Sequence, residues 1–208
     1  MNIRKFHYFS GVVLTIFIGF HLLNHFMILF GVERHLAIME SFRKVYRFIV
    51  VEIFIVAAAL LQVYSGIQLI LQVRKRTKTT FFDYVQYYSG LYLAFFILFH
   101  LAAVFSGRIL FHLDTNTYFG IAGLNTFPYF FMFIPYYFLA VFSFFAHIAA
   151  IHSKKMKRTL LGFSPEVQSK IILVKAFVIA CLLMLVLTDW GRGFEIIGKV
   201  KELYKWPL

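Results

Sequence analysis

Tyr8-Phe9-Ser10-Gly11 opens an uncharged run that ends in Phe20-His21-Leu22, and the pattern returns as Tyr87-Tyr88-Ser89-Gly90 running to Phe99-His100-Leu101. In each copy the histidine lies ten residues after the glycine. Such self-similarity is the signature of a repeated structural unit. The runs are long enough to cross a bilayer, which takes roughly 20 residues at about 1.5 Å each. A histidine deep in a membrane helix is costly and marks a functional site. Two of them, at matching places in matching helices, point to two axial ligands on one haem iron.

The bulk composition agrees with a membrane protein. Of 208 residues, 61% are hydrophobic and 20% aromatic, and only 14% are charged, against roughly 25% in soluble domains. The net charge of +12 would suit nucleic acid in a soluble protein. Here the basic residues flank apolar runs, so topology accounts for them and no nucleic-acid partner is expected. Cys181 is the only cysteine, which excludes an internal disulfide and a thiolate metal site. The first apolar run reads as a retained span rather than a cleaved signal peptide.

The fold class read from the pattern is an all-α membrane protein: one transmembrane domain over residues 1–208, with five helices in a bundle. They cover about 8–30, 48–73, 84–107, 127–151 and 171–190. Three basic clusters fall on one side of this arrangement: Arg4 and Lys5; Arg74, Lys75, Arg76 and Lys78; Lys154, Lys155, Lys157 and Arg158. The positive-inside rule makes that side cytoplasmic, with the amino terminus inside and the carboxy terminus outside. The loop from Gly31 to Arg47 lies on the other side yet carries Arg34, Arg43, Lys44 and Arg47; a short amphipathic interfacial helix accommodates that mixture. The basic tail from Arg192 onward has no assignment. Pro135 is expected to kink the fourth helix, and Asp189 and Arg192 to pair at the end of the fifth.

The first and third helices run in the same direction, which places His21 and His100 at similar depth in the outer half of the membrane. Gly11, Gly19 and Gly90 permit close approach of a helix or a flat porphyrin. His25 shares a helix face with His21. It reads first as an interfacial polar residue at the outer end of the first helix, with three further roles open: alternative ligand, propionate partner or proton carrier for quinone. His147, near the inner end of the fourth helix, is the candidate for a second haem, but the second helix holds no histidine to face it. His152 reads as interfacial, His7 as preceding the first helix at the inner surface, and His35 and His112 as solvated loop residues. Glu52, near the outer end of the second helix, is the candidate for proton exchange with quinone; pairing with Arg47 or Lys44 is the structural alternative. The aromatics of the fourth helix read as packing and interface belt.

These residues resemble the single-chain, five-helix cytochrome b membrane anchor of succinate dehydrogenase and fumarate reductase (complex II of respiratory chains). The resemblance covers roughly three quarters of the chain. That family opens with His-Arg-x-Ser/Thr-Gly, and His7-Tyr8-Phe9-Ser10-Gly11 is similar. His21-Leu22-Leu23-Asn24, His100 and His147 match three of its four haem-ligand positions. The fourth falls on Gln62 in Gln62-Val63-Tyr64-Ser65-Gly66-Ile67, and glutamine is a poor iron ligand. The resemblance implies an outer haem b on His21 and His100. The favoured count is one haem, with a second on His147 left open.

It further implies a subunit that binds no dicarboxylate itself. Such a subunit docks the flavoprotein and iron–sulfur subunits on the cytoplasmic side and passes electrons to or from quinone. Its setting would be the bacterial cytoplasmic membrane, in contact with membrane lipid; a homo-oligomer of the complex stays open. Tyr8 replaces the family's arginine, which puts the family's inner quinone chemistry in doubt. The alternatives are a b-type cytochrome subunit of another oxidoreductase, or a haem-free membrane scaffold derived from such an anchor. A di-metal hydroxylase, prompted by His21-x3-His25, lacks the further histidine boxes it would need.

The topology has a direct check. Periplasmic-reporter fusions placed within 31–47 are expected to be active and those within 75–79 inactive; the reverse pattern would invert the assigned orientation.

Overall fold

The computed structural model describes residues 2–74 and 80–204. It contains eight α-helices among those residues: α1 (Ile3–Phe26), α2 (Val32–Tyr46), α3 (Ile49–Arg74), α4 (Phe81–Ile109), α5 (Thr117–Ala122), α6 (Phe130–Lys155), α7 (Pro165–Leu187) and α8 (Lys199–Leu203). No strand forms there, and five helices (α1, α3, α4, α6 and α7) are long and apolar enough to cross a membrane. Lys75, Arg76 and Lys78 of the second basic cluster lie outside the described residues.

Local chemistry sets the helix ends. The Asn2 side chain accepts from the Arg4 N–H and starts α1. Thr80 and Asp83 form a reciprocal capping box on α4, which satisfies two of the first-turn donors. Ser164 caps α7 with Pro165 in its first turn, where the missing N–H costs nothing. These caps place the starts of α1, α4 and α7 three to six residues earlier than the hydrophobic pattern alone indicates. α7 also ends at Leu187 rather than 190, where Thr188 leaves the helical region. Lys175 is consequently an exposed residue well inside α7. α6 begins at Phe130, runs through Pro135 and continues to Lys155; its start is three residues later than expected because 127–129 form a turn.

The spanning helices pack in chain order, α1 on α3, α3 on α4, α4 on α6 and α6 on α7, and α7 touches α1 to close the ring. Without water to drive helix association in lipid, small residues must allow close contact. Ala146, Ala149 and Ala150 of α6 and Ala176 and Ala180 of α7 are all at most 1% exposed. The outward surface is apolar: at the start of α3, Ile49, Val50, Ile53 and Phe54 stand exposed, with Phe48 exposed just before them. Only 22% of the most apolar window of α3 is buried, a surface suited to lipid rather than water.

The loop 31–47 folds as the helix α2, with His35, Met39 and Arg43 on its buried face. The basic tail also acquires a place. Ile196 and Val200 join the core formed by Ile121, Leu124, Leu183 and Leu187. Asn125 ties the region together, donating to the carbonyls of Ile121 (2.8 Å) and Leu187 (2.9 Å) and accepting from the Phe194 N–H (3.0 Å). Asp189 and Arg192 pair as expected, at 2.9 Å.

Ala149→Leu puts three extra heavy atoms into a contact with no free surface. We expect a loss of about 1–3 kcal/mol, read as a lowered thermal midpoint in detergent; Ala→Leu at a lipid-facing position should leave the midpoint unchanged.

Candidate functional site

The helix directions sort the polar residues to two ends of the bundle. At one end the start of α1 meets the end of α3, and the start of α4 meets the end of α6. Lys154 reaches Asp83 at 2.6 Å and Gln86 at 2.5 Å there. We call this the basic end. The opposite end holds α2, α5 and the carboxy-terminal segment.

Toward the opposite end, the interior holds a cavity of ≈ 300 Å³ lined by His21, His25, His35, His100, Glu52 and Arg108, with a wall otherwise mostly aliphatic and aromatic. Apolar walls with a few convergent polar groups characterise cofactor and ligand sites. His21 on α1 and His100 on α4 face each other with ring centroids 6.2 Å apart. A phenylalanine one turn earlier orients each ring. Phe17 stacks on His21 (5.8 Å, 19° between planes) and Phe96 on His100 (5.1 Å, 14°). The repeat therefore extends to Phe17-Ile18-x-Phe20-His21 and Phe96-Ile97-x-Phe99-His100, a signal present in the sequence that the ten-residue spacing alone did not use.

Two imidazoles on one iron have centroids about 6.2 Å apart, taking about 2 Å per iron–nitrogen bond and about 1.1 Å from nitrogen to ring centre. The observed separation is of that size. Among the described residues no group of three or more His, Cys, Asp or Glu side chains could hold a metal ion. A bare ion commonly takes four protein ligands; a haem iron takes its equatorial nitrogens from the porphyrin and needs only two.

The histidines continue beyond this pair. His25 Nε2 lies 3.2 Å from His21 Nε2, and the His25 and His35 rings are 5.9 Å apart. His25 Nδ1 and Asn24 Oδ1 are buried without a hydrogen-bond partner among the described residues. Such deficits are rare in folded proteins and mark places where a ligand or water completes the network.

His35 is not the solvated loop residue expected from the sequence. It is 0% exposed, with Nε2 3.2 Å from Asn24 Nδ2 and Nδ1 3.4 Å from Thr117 Oγ1. α2 folds back over the bundle and α5 covers it, which no local pattern announces. Burial pushes this imidazole from its ordinary 6.5 down to about 4. His112, by contrast, is exposed.

The polar rim of the cavity is ionic. Glu52 pairs with Arg108 of α4, rather than with Arg47 or Lys44 as its sequence neighbourhood suggested; the partner is 56 residues away and emerges only from helix packing. Arg47 Nη2 instead donates to Thr115 Oγ1 at 2.8 Å. Arg43, 6% exposed, bridges Glu40 and Asp114. Its guanidinium holds the Asp114 carboxyl below the usual carboxylate range.

The basic end is built differently from the sequence expectation. His7 lies within α1, half-buried, with Nδ1 3.0 Å from Ser65 Oγ and Nε2 3.2 Å from Gln62 Nε2. Gln62 also accepts from Ser10 Oγ at 2.5 Å. His147 Nδ1 is 3.1 Å from Ser89 Oγ, and His152 Nε2 meets Gln168 Oε1 at 2.9 Å. Of the three glycines read as approach points, Gly11 lies against Gln62 and Gly90 against His147, while Gly19 meets nothing within 4 Å.

No protein-family model, curated protein or solved structure matches the chain.

The depressed His35 value has a consequence for stability. Between pH 6.5 and about 4 the unfolded chain takes up a proton that the folded imidazole refuses, so stability is full above that window and falls as pH drops through it. His35→Gln, which keeps hydrogen bonds to Asn24 and Thr117, is expected to flatten the decline in thermal midpoint between pH 7 and 4.5. Equal slopes in the two proteins would remove His35 as the cause.

Proposed function

We propose that the chain is the haem-b-binding membrane anchor of a succinate:quinone or quinol:fumarate oxidoreductase, with His21 and His100 as axial ligands. The observation that carries this reading is the pair of matched imidazoles, each stacked on the phenylalanine one turn before it, set 6.2 Å apart at an apolar cavity. A bound haem b would supply one-electron redox chemistry.

The chain's own residues supply the surroundings. Phe17 and Phe96 fix the ring planes, and the aliphatic wall keeps water from the ligand. Arg47 and Arg108, both lining the cavity at its polar rim, offer positive charge to ligand carboxylates. Glu52, held by Arg108, is the carboxylate placed to exchange protons with quinone at that rim. His25, with its unpartnered Nδ1, offers a further hydrogen bond to whatever occupies the cavity. The proposal places the basic end in the bacterial cytoplasm, against the flavoprotein and iron–sulfur subunits. Cations there also suit anionic lipid headgroups.

The test is a dithionite-reduced minus oxidised spectrum with a pyridine haemochromogen assay on protein purified from membranes with its partners. We expect a b-type spectrum that loses the cavity haem in His21→Ala and in His100→Ala. Absence of haem in the folded wild-type protein would overturn the reading. A haem that survives both substitutions would overturn the ligand assignment. Glu52→Gln is expected to leave haem content unchanged and to lower quinone turnover by about 10²-fold, the usual scale for losing a positioned proton-transfer group.

A further inference from the structure

We infer that the basic end carries a second bis-imidazole haem site whose ligands are His7 of α1 and His147 of α6, so that the chain holds two haems although Gln62 replaces the second helix's ligand. The inference rests on the haem reading above.

The geometry repeats that of the cavity pair. The His7 and His147 rings are 6.5 Å apart with 69° between their planes, against 6.2 Å and 68° for His21 and His100. Both separations lie within about 0.3 Å of the spacing of about 6.2 Å for two imidazoles on one iron.

A repeated cradle holds the two rings. Gln62-x2-Ser65-Gly66 on α3 receives His7, and Gln86-x2-Ser89-Gly90 on α4 receives His147. The glycines let the rings lie against the helix backbone: a Cβ at Gly66 would stand 3.3 Å from His7 Cε1, and one at Gly90 3.2 Å from His147 Cε1. The serines then fix the tautomers. Ser65 Oγ donates its hydrogen to the Leu61 carbonyl, and Ser89 Oγ to the Val85 carbonyl, each at 2.6 Å. A hydroxyl has one hydrogen. Each serine oxygen can therefore only accept from the histidine, at 3.0 Å for His7 and 3.1 Å for His147. Both rings are thereby N–H at Nδ1 and carry a free lone pair at Nε2. A hydrogen bond at one ring nitrogen that leaves the other as a ligand is how metal-binding histidines are prepared.

At His7 that lone pair now accepts from the Gln62 amide at 3.2 Å. Ligation requires this neutral amide to turn away, but no proton has to leave, because Nε2 carries none. Gln62 keeps its bond to Ser10 at 2.5 Å. In this arrangement the glutamine is a stand-in that satisfies His7 until iron takes its place. The two pairs lie at different depths: His7 and His21 are 14 residues apart on α1, a rise of about 21 Å.

The experiment is haem per chain, with redox potentiometry, on the complex purified from membranes. The inference expects two haems in the wild type, one in His7→Ala and one in His147→Ala, with the retained haem still lost when His21→Ala is added. That retained haem shows that the variant has folded. His7→Met serves as the second variant: it should keep two haems while the potential of one component rises and the other stays fixed, since methionine ligation raises haem potentials. One haem in the wild type, lost with His21→Ala, leaves the proposed function intact and overturns the second site. Two haems that both survive His7→Ala overturn His7 as ligand. No haem overturns this inference together with the reading it rests on.

Discussion

A polar side chain inside a bilayer must find its partners within the protein, because hydrocarbon offers none. That constraint organises this bundle. Ser65 and Ser89 each donate back to a carbonyl of their own helix, at 2.6 Å in both cases, and Ser10 donates across to the next helix. Each of the three meets a polar group of the neighbouring helix: Gln62 for Ser10, His7 for Ser65 and His147 for Ser89. The following glycine permits the approach in all three cases. Apolar packing alone would tolerate sliding of one helix past another in lipid. These paired Ser-Gly contacts do not, and they set the register of α1 against α3 and of α4 against α6.

Register at the basic end then dictates what meets at the other. Ten residues separate each repeat's glycine from its histidine, so fixing Gly11 and Gly90 at one level brings His21 and His100 to another common level. The packing of α3 on α4 joins the two pairs of helices and brings His21 and His100 together across the cavity, and the Phe17 and Phe96 stacks add rotational order. A site assembled on rigid helices in this way is more closely specified than one built on loops. The ends of the bundle handle the remaining polarity: α2 buries Arg43 only by pairing it with Glu40 and Asp114, and Glu52 sits near the cavity only because Arg108 neutralises it.

Much of this was legible in the sequence, for physical reasons. Twenty-residue apolar runs have few alternatives to spanning helices, and a ten-residue offset repeated in two of them places two histidines together without further information. Helix ends were misjudged where capping side chains extend a helix past its hydrophobic part, as Thr80 and Ser164 do. His35 and His7 were misjudged for a different reason. Both lie among polar or charged residues near helix starts, where local composition indicates solvent. Their burial depends on α2 and α5 folding over the bundle and on α3 presenting Ser65, neither of which leaves a local trace. The Glu52–Arg108 pair belongs to the same class: the nearest cations in sequence are not the nearest in space.

The asymmetry between the two ends bears on why a glutamine stands at position 62. His7 and Gln62 lie on adjacent helices, Gln62 against Gly11 and His7 against Gly66. The chain has its histidine on α1, one turn before Ser10-Gly11, and the amide opposite can both donate to an imidazole lone pair and accept from a serine. A residue that only accepted, such as a carboxylate, would bring a charge into the membrane with nothing to neutralise it. An aliphatic residue would leave His7 Nε2 without the donor it now has. Glutamine satisfies both Ser10 and His7 and can release the histidine without moving a charge. One neutral side chain at position 62 thus serves two polar neighbours on the facing helix.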